Sequence, residues 1–183
     1  MVTQSQQQMT SAEFFELPEQ NQPTELIYGE LVVSPTPAPK HQNVVLNTYT
    51  VIRQISKTVG GKVFAAPLEI YLDDRVIPQP DVMWIATNSK CIIDEKRLIG
   101  PPDLVVEIFS PGCVLYDRGD KFDIYQRYGV REYWMIDPSE EYVEVYQLVE
   151  GQFVRQGIYG LGKQFISPVL GGATIDVDKI FEW

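Results

Sequence analysis

Histidine occurs once in this 183-residue chain, at position 41, and cysteine twice, as Cys91 and Cys113. Two cysteines cannot build a disulfide framework, and these form no C-x-x-C pair. A lone histidine excludes a His-rich zinc site, and no Ser-His-Asp set stands out from spacing. Long apolar runs are missing as well. Leu104-Val105-Val106 and Val44-Val45-Leu46 fall far short of the roughly 18 residues that a membrane span needs, so none is expected. Positive charge is scarce: 15 Lys and Arg stand against 25 Asp and Glu, for a net charge of −10. That balance excludes loose, sequence-independent adhesion to nucleic acid or anionic lipid, while leaving open a local basic field around a cleft. Residues 1–10 are polar, with no basic n-region or apolar h-region. They read as a frayed leader rather than a secretory signal, and a reduced, cytoplasmic setting is the expectation.

What is present is an ordinary globular composition, 44% hydrophobic and 11% aromatic, which argues against intrinsic disorder. The length suits one domain over residues 1–183, burying roughly 70% of the unfolded surface without a staple. Thr10-Ser11-Ala12-Glu13 has the form of a capping box before a short helix ending at Pro18. Residues 25–33 predict two short strands around a turn at Gly29, and the three prolines of 34–39 predict an extended loop. Helical spacing of Val45, Tyr49, Ile52, Ile55 and Val59 predicts a helix from His41 or Gln42 to Gly60-Gly61. Strands are expected over 63–72 and 81–85, then a polar excursion over 87–102 with one helical turn. Leu104-Val105-Val106-Glu107-Ile108-Phe109 predicts a strand buried on both faces. A helix over 117–128 and a strand over 132–137 follow, suggesting a parallel crossover. A hairpin over 142–159 and a strand or short helix near 175–181 complete an α/β or α+β pattern with a mixed sheet.

Three charged residues break these patterns. Glu107 sits where its neighbours demand burial, and an unpaired carboxylate there would cost several kcal/mol, so it needs a cation, a donor or a proton. Asp81 follows Pro80, which holds it at a strand entry; a strand-capping role is the plainer alternative. Lys121 lies in the first turn of a helix, where the dipole disfavours a cation. Either carboxylates lie opposite it, or Asp117 and Asp120 compensate a solvated ammonium. Two carboxylates at adjacent strand ends with a nearby Lys is the combination that metal-assisted phosphodiester cleavage requires. Mg²⁺ or Mn²⁺ takes one or two carboxylates plus waters, neutralises the phosphate and acidifies a bound water. An ammonium orients that water or stabilises developing charge.

At this point the chain resembles a known family. Pro80-Asp81, the block Pro102–Pro111, the block Asp117–Tyr125 and the block Tyr128–Pro138 are similar to the Uma family of restriction-endonuclease-like proteins, within the PD-(D/E)xK superfamily. Glu25–Leu31 and His41 are similar to its N-terminal block. The resemblance implies a three-layer α/β/α restriction-endonuclease-like fold with a mixed central sheet plus added β-hairpins. It implies a metal-dependent endonuclease acting on DNA, with Asp81 and Glu107 as ligands of Mg or Mn. The superfamily places its Lys two positions after the second acid, where this chain has Phe109; Lys121 on the next helix is then the candidate.

Further candidates are weaker. Asp94-Glu95-Lys96 satisfies D-x-K literally but lies in a polar stretch that cannot fix geometry. Gly157–Lys163 reads G-x-x-x-x-G-K but continues with Gln164 and no helix, which excludes a P-loop. His41 could contact phosphate or sit exposed at its helix start. Glu25 and Glu30 fall on opposite faces by simple alternation, so at most one should join the acids. No acidic residue occurs between Leu31 and Leu68, whereas Lys40, Arg53, Lys57 and Lys62 do; Lys40, Arg53 and Lys57 are the candidate DNA contacts. Aromatic C-terminal hairpins are a candidate homodimer face. The alternative functions are an inactive nuclease-fold module that binds nucleic acid or protein, and a metal-independent two-carboxylate hydrolase.

Overall fold

The computed structural model describes residues 8–18, 22–110 and 119–183. Helix α1 (Ser11–Phe15) begins with the expected capping box, in which Thr10 N–H donates to Glu13 Oε2 at 2.8 Å. Strands β1 (Thr24–Ile27) and β2 (Glu30–Val33) pair around Tyr28-Gly29, whose φ angles of 52° and 82° suit a two-residue hairpin turn. This turn corrects the expected facing of the two glutamates. The pairs Ile27↔Glu30 and Glu25↔Val32 put both on one face, yet only Glu25 is buried and Glu30 remains exposed.

Helix α2 (Pro39–Val59) starts two residues before His41, because Pro39 at its first turn is already preset for helical φ. The strand expected over 63–72 is instead two, β3 (Lys62–Ala65) and β4 (Ile70–Tyr71). Pro67 has no N–H to continue a ladder, and the chain changes sheets there. After β5 (Val82–Ile85), the excursion holds no helical turn but two short strands, β6 (Ile92–Ile93) and β7 (Leu98–Ile99). Buried Leu98 and Cys91 pin them over Ile70 and Met83. Then come β8 (Leu104–Ile108), α3 (Asp120–Tyr128), β9 (Glu132–Asp137), and the hairpin β10 (Tyr142–Val149) with β11 (Gln152–Gly160). The tail adds both kinds of element: β12 (Gln164–Ser167), β13 (Ala173–Asp176) and α4 (Asp178–Phe181). Asp117, the expected start of α3, and Cys113 lie outside the described residues.

Six strands form the central sheet in the order β11-β10-β9-β8-β5-β3. β8 and β9 are parallel and joined through α3, while the other neighbours are antiparallel, so the sheet is mixed. Strand alternation divides the core. Leu104, Val106, Ile108, Trp134 and Ile136 pack against Val44 and Ile52 of α2. Val105, Phe109, Tyr133 and Met135 pack against Ile124 and Tyr125 of α3. Helices on both faces make three layers, and the same alternation turns Glu107 toward α3. Some aromatics of the C-terminal hairpins turn onto the core. Tyr146 and Phe153 pack on Phe122, and Phe165 on Trp134, because these rings bury more area against the core than an exposed strand offers. No helix among the described residues is long and apolar enough to cross a membrane.

Candidate functional site

β5 and β8 pair through Val82↔Val106, and one step further along the ladder Asp81 stands opposite Glu107. Asp81 closes the ladder with its side chain: Ile108 N–H donates to Asp81 Oδ2 at 2.8 Å. Its carbonyl accepts from Ala66 N–H at 3.0 Å. The residue after Pro80 is therefore gripped from both neighbouring strands. His41 completes this corner from α2. Its Nε2 lies 2.9 Å from the Ile108 carbonyl oxygen and 3.4 Å from Asp81 Oδ2. A ring nitrogen facing two oxygen acceptors carries its proton, so Ile108 is held at its N–H by Asp81 and at its carbonyl by His41. His41 is buried, not an exposed helix-start residue.

Glu107 is 3% exposed and receives two donors at one oxygen. Tyr125 Oη donates to Glu107 Oε1 at 2.6 Å, and Lys121 Nζ lies 3.1 Å from the same atom. Lys121 and Tyr125 are four residues apart on α3, so both side chains leave one helix face. The ammonium also lies 3.0 Å from Glu25 Oε1, which accepts the Gln79 N–H at 2.6 Å. Lys121 is thus not the solvated ammonium that Asp117 and Asp120 would compensate; it is buried between two glutamates. Burial pushes the Tyr125 phenol well above its ordinary range, and the charges of Glu107 and Glu25 add to this. It stays protonated and serves as a donor.

Asp81, Glu107, Glu25, Lys121 and His41 line one pocket of about 100 Å³ walled by Pro23, Pro35 and Pro37. Among the described residues that line it, three carboxylates stand against one ammonium, a balance that favours a cation. Among the described residues no group of three or more His, Cys, Asp or Glu is arranged to enclose a metal. The oxygen donors of Asp81 and Glu107 fit an ion that takes only one or two carboxylates and keeps its waters, as Mg²⁺ does.

Other sequence candidates fall elsewhere. Glu30 is exposed. Lys40 is ion-paired with Glu141 Oε1 at 3.1 Å. Arg53 donates to Tyr49 Oη at 2.9 Å, and with Lys57 and Lys62 it borders a separate shallow groove. At 1.5 Å per residue, Arg53 and Lys57 lie roughly 18 and 24 Å along α2 from His41. Asp94-Glu95-Lys96 sits exposed between β6 and β7, away from the pocket. Tyr125 and Gln79 escaped the sequence reading. The signal for Tyr125 was its i, i+4 relation to Lys121; Gln79 acts through a backbone N–H, which leaves no residue-type signal.

The model of the Uma2 family, described as "Putative restriction endonuclease", matches residues 11–178. Among solved structures, the fold is similar to that of a "putative nuclease belonging to DUF820" from Anabaena variabilis ATCC 29413. The two superpose with a TM-score of 0.76 at 22% identity, over 96% of this chain and 98% of that one. None of the curated proteins matches.

Proposed function

The chain belongs to the Uma2 family, and from that membership and the pocket geometry we propose that it is a metal-dependent endonuclease hydrolysing DNA phosphodiester bonds. One observation carries this reading. A buried lysine, Lys121, reaches Glu107 in the pocket that Asp81 also lines, although helix and strands arrive from separate parts of the chain. Asp81 and Glu107 would hold Mg²⁺ or Mn²⁺, which when bound would neutralise the scissile phosphate and acidify water. Lys121 presents its ammonium beside Glu107, where it steadies a water approaching the phosphorus and offsets charge developing on the phosphate oxygens. Glu25 holds that ammonium in place. Asp81 and His41 clamp Ile108 and so keep the strand end, and Glu107 with it, from shifting.

Supercoiled plasmid incubated with Mg²⁺ or Mn²⁺ tests the proposal. Nicking by the wild type, abolished by EDTA and by Asp81→Ala or Glu107→Ala, is the expected result. Nicking that persists in both variants would mark a contaminant, and EDTA-resistant cleavage would point to a metal-independent hydrolase. The second reading is a nuclease-fold module that binds nucleic acid without cutting. It is favoured by the ion pairs of Lys121 with Glu25 and Glu107, which can hold the fold together with no chemistry at all. Wild-type protein that nicks under no metal or salt condition would establish it.

A further inference from the structure

A second, larger cavity of about 800 Å³ adjoins the acidic pocket and shares Pro23, Pro37, Ala66 and Gln79 with it as common wall. Its far side is built from α1 and the β6–β7 excursion, two segments that the proposed chemistry does not use. There the Arg97 guanidinium carbon lies 3.3 Å from the centre of the Phe15 ring. Phe14, also on α1, packs edge-on against that ring at 5.6 Å and supports it. Lys96 lines the same cavity. No described carboxylate is within ion-pair distance of Lys96 or Arg97. The acid on this wall is Glu69, half-buried, whose carboxyl burial pushes up while Arg97 pulls it back. Where the two cavities meet, Gln79 Oε1 is buried with no hydrogen-bond partner among the described residues.

These features share one chemistry. A guanidinium stacked on an aromatic ring keeps its donor edge in a fixed plane, suited to a phosphate, and offers its outer face to a nucleobase. A cavity of this volume lies within the roughly 300–1,000 Å³ of pockets that enclose a small ligand, the size of a nucleotide or two. A chain with net charge −10 has little general attraction for polyphosphate, so affinity must come from stacking and from a few placed cations. We propose that this groove is the track of an unpaired DNA strand leading to the acidic pocket, with a base stacked on Arg97 over Phe15 and phosphates held by Arg97 and Lys96. The proposal rests on the nuclease reading and adds its substrate class: single-stranded DNA, or the single-stranded arm of an overhang or flap.

Fluorescence anisotropy with a labelled oligothymidylate of about ten nucleotides tests it, using the full chain carrying Glu107→Gln so that nothing is cut. The oligothymidylate should bind at least about tenfold more tightly than a blunt duplex of equal length. Arg97→Ala with Lys96→Ala should weaken it by about tenfold or more and reduce the salt slope by roughly 1.4, for two single-strand phosphate contacts. Lys163→Ala with Lys179→Ala, two exposed lysines that line neither cavity, should leave it unchanged. Arg97→Lys keeps the charge and loses the plane, so it should recover the salt slope and not the full affinity. Thermal melts of each variant exclude misfolding, and Arg97→Lys alone decides the matter if the double variant unfolds. Equal binding of single strand and blunt duplex, or indifference to Arg97, overturns the proposal. Carboxylate-dependent cleavage that ignores Arg97 would remove the groove and leave the nuclease reading standing. Arg97-dependent binding by a wild type that never cleaves would do the reverse.

Discussion

Lys121 Nζ lies 3.1 Å from Glu107 Oε1 even though one residue sits on α3 and the other at the middle of the sheet on β8. The ammonium that a D/E-x-K pattern would bring along the strand, at the position of Phe109, comes instead from the following helix. Both groups are buried, with exposures of 5% and 3%, and each offsets part of the other's desolvation, Glu25 and Tyr125 supplying further contacts.

Removing that ammonium should be costly. Lys121→Met leaves Glu107 and Glu25 buried without their cation, and losing one partner of a buried ion pair costs about 3–5 kcal/mol. Chemical denaturation should show a drop of that order, and Lys121→Met combined with Glu25→Gln and Glu107→Gln should regain part of it. A single variant as stable as the wild type would mean that the pair is not buried in solution.

Divalent ions should stabilise the protein. An ion bound to the folded state alone adds about 2.7 kcal/mol at a hundred times its Kd. The Tm should therefore climb through a Mn²⁺ titration from micromolar to millimolar, and the climb should vanish in Asp81→Asn with Glu107→Gln. A wild-type melting curve that ignores Mn²⁺ would count against the metal site.

Glu132 should give the stability curve a recognisable pH slope. Burial pushes its carboxyl above the ordinary 4.5; contacts with Ser167, Trp134 and the Val169 backbone, and the charge of Arg131, pull it back only in part. Between the unfolded and the raised folded value the native state holds more protons than the unfolded one. This group's contribution is therefore most favourable below about pH 4.5 and declines as pH rises through the folded value. Glu132→Gln should raise stability relative to the wild type at pH 7 and less so at pH 4, as urea titrations at the two pH values would show. An equal difference at both would refute the assignment.

Cys91 should be chemically silent. Burial first, and the charge of Asp103 second, push its thiol up to about 11, and the thiolate is the reactive form. In Cys113→Ser protein, a maleimide should label Cys91 at neutral pH only after unfolding by denaturant. Rapid labelling of the native protein would show that the β6–β7 excursion opens.

Much of this was legible in the sequence, for reasons that are local. Alternating and continuous apolar runs set the strands. Thr10 and Glu13 set the first cap, and Gly129 ended α3 where a left-handed residue was required. Pro80 placed Asp81 at a strand entry, and an acid within Leu104–Phe109 declared itself by the cost of burying it. The break at Pro67 was also written in the sequence as a missing N–H, although periodicity alone ran through it.

Tertiary structure alone decided which charges meet. Nothing within ten residues of Lys121 determines whether its ammonium turns to water or to Glu107; that depends on how α3 approaches β8 and on β1 delivering Glu25 to the other side. Arg97 gives the same lesson in reverse. It belongs to a stretch too polar to read as strands, and only the anchoring of that stretch by Leu98 and Cys91 lays its guanidinium on Phe15. Local sterics and apolar periodicity act over a few bonds and can be read in order along the chain. Ion pairing and desolvation act through space, between residues that only the register of strands and the approach of helices bring together.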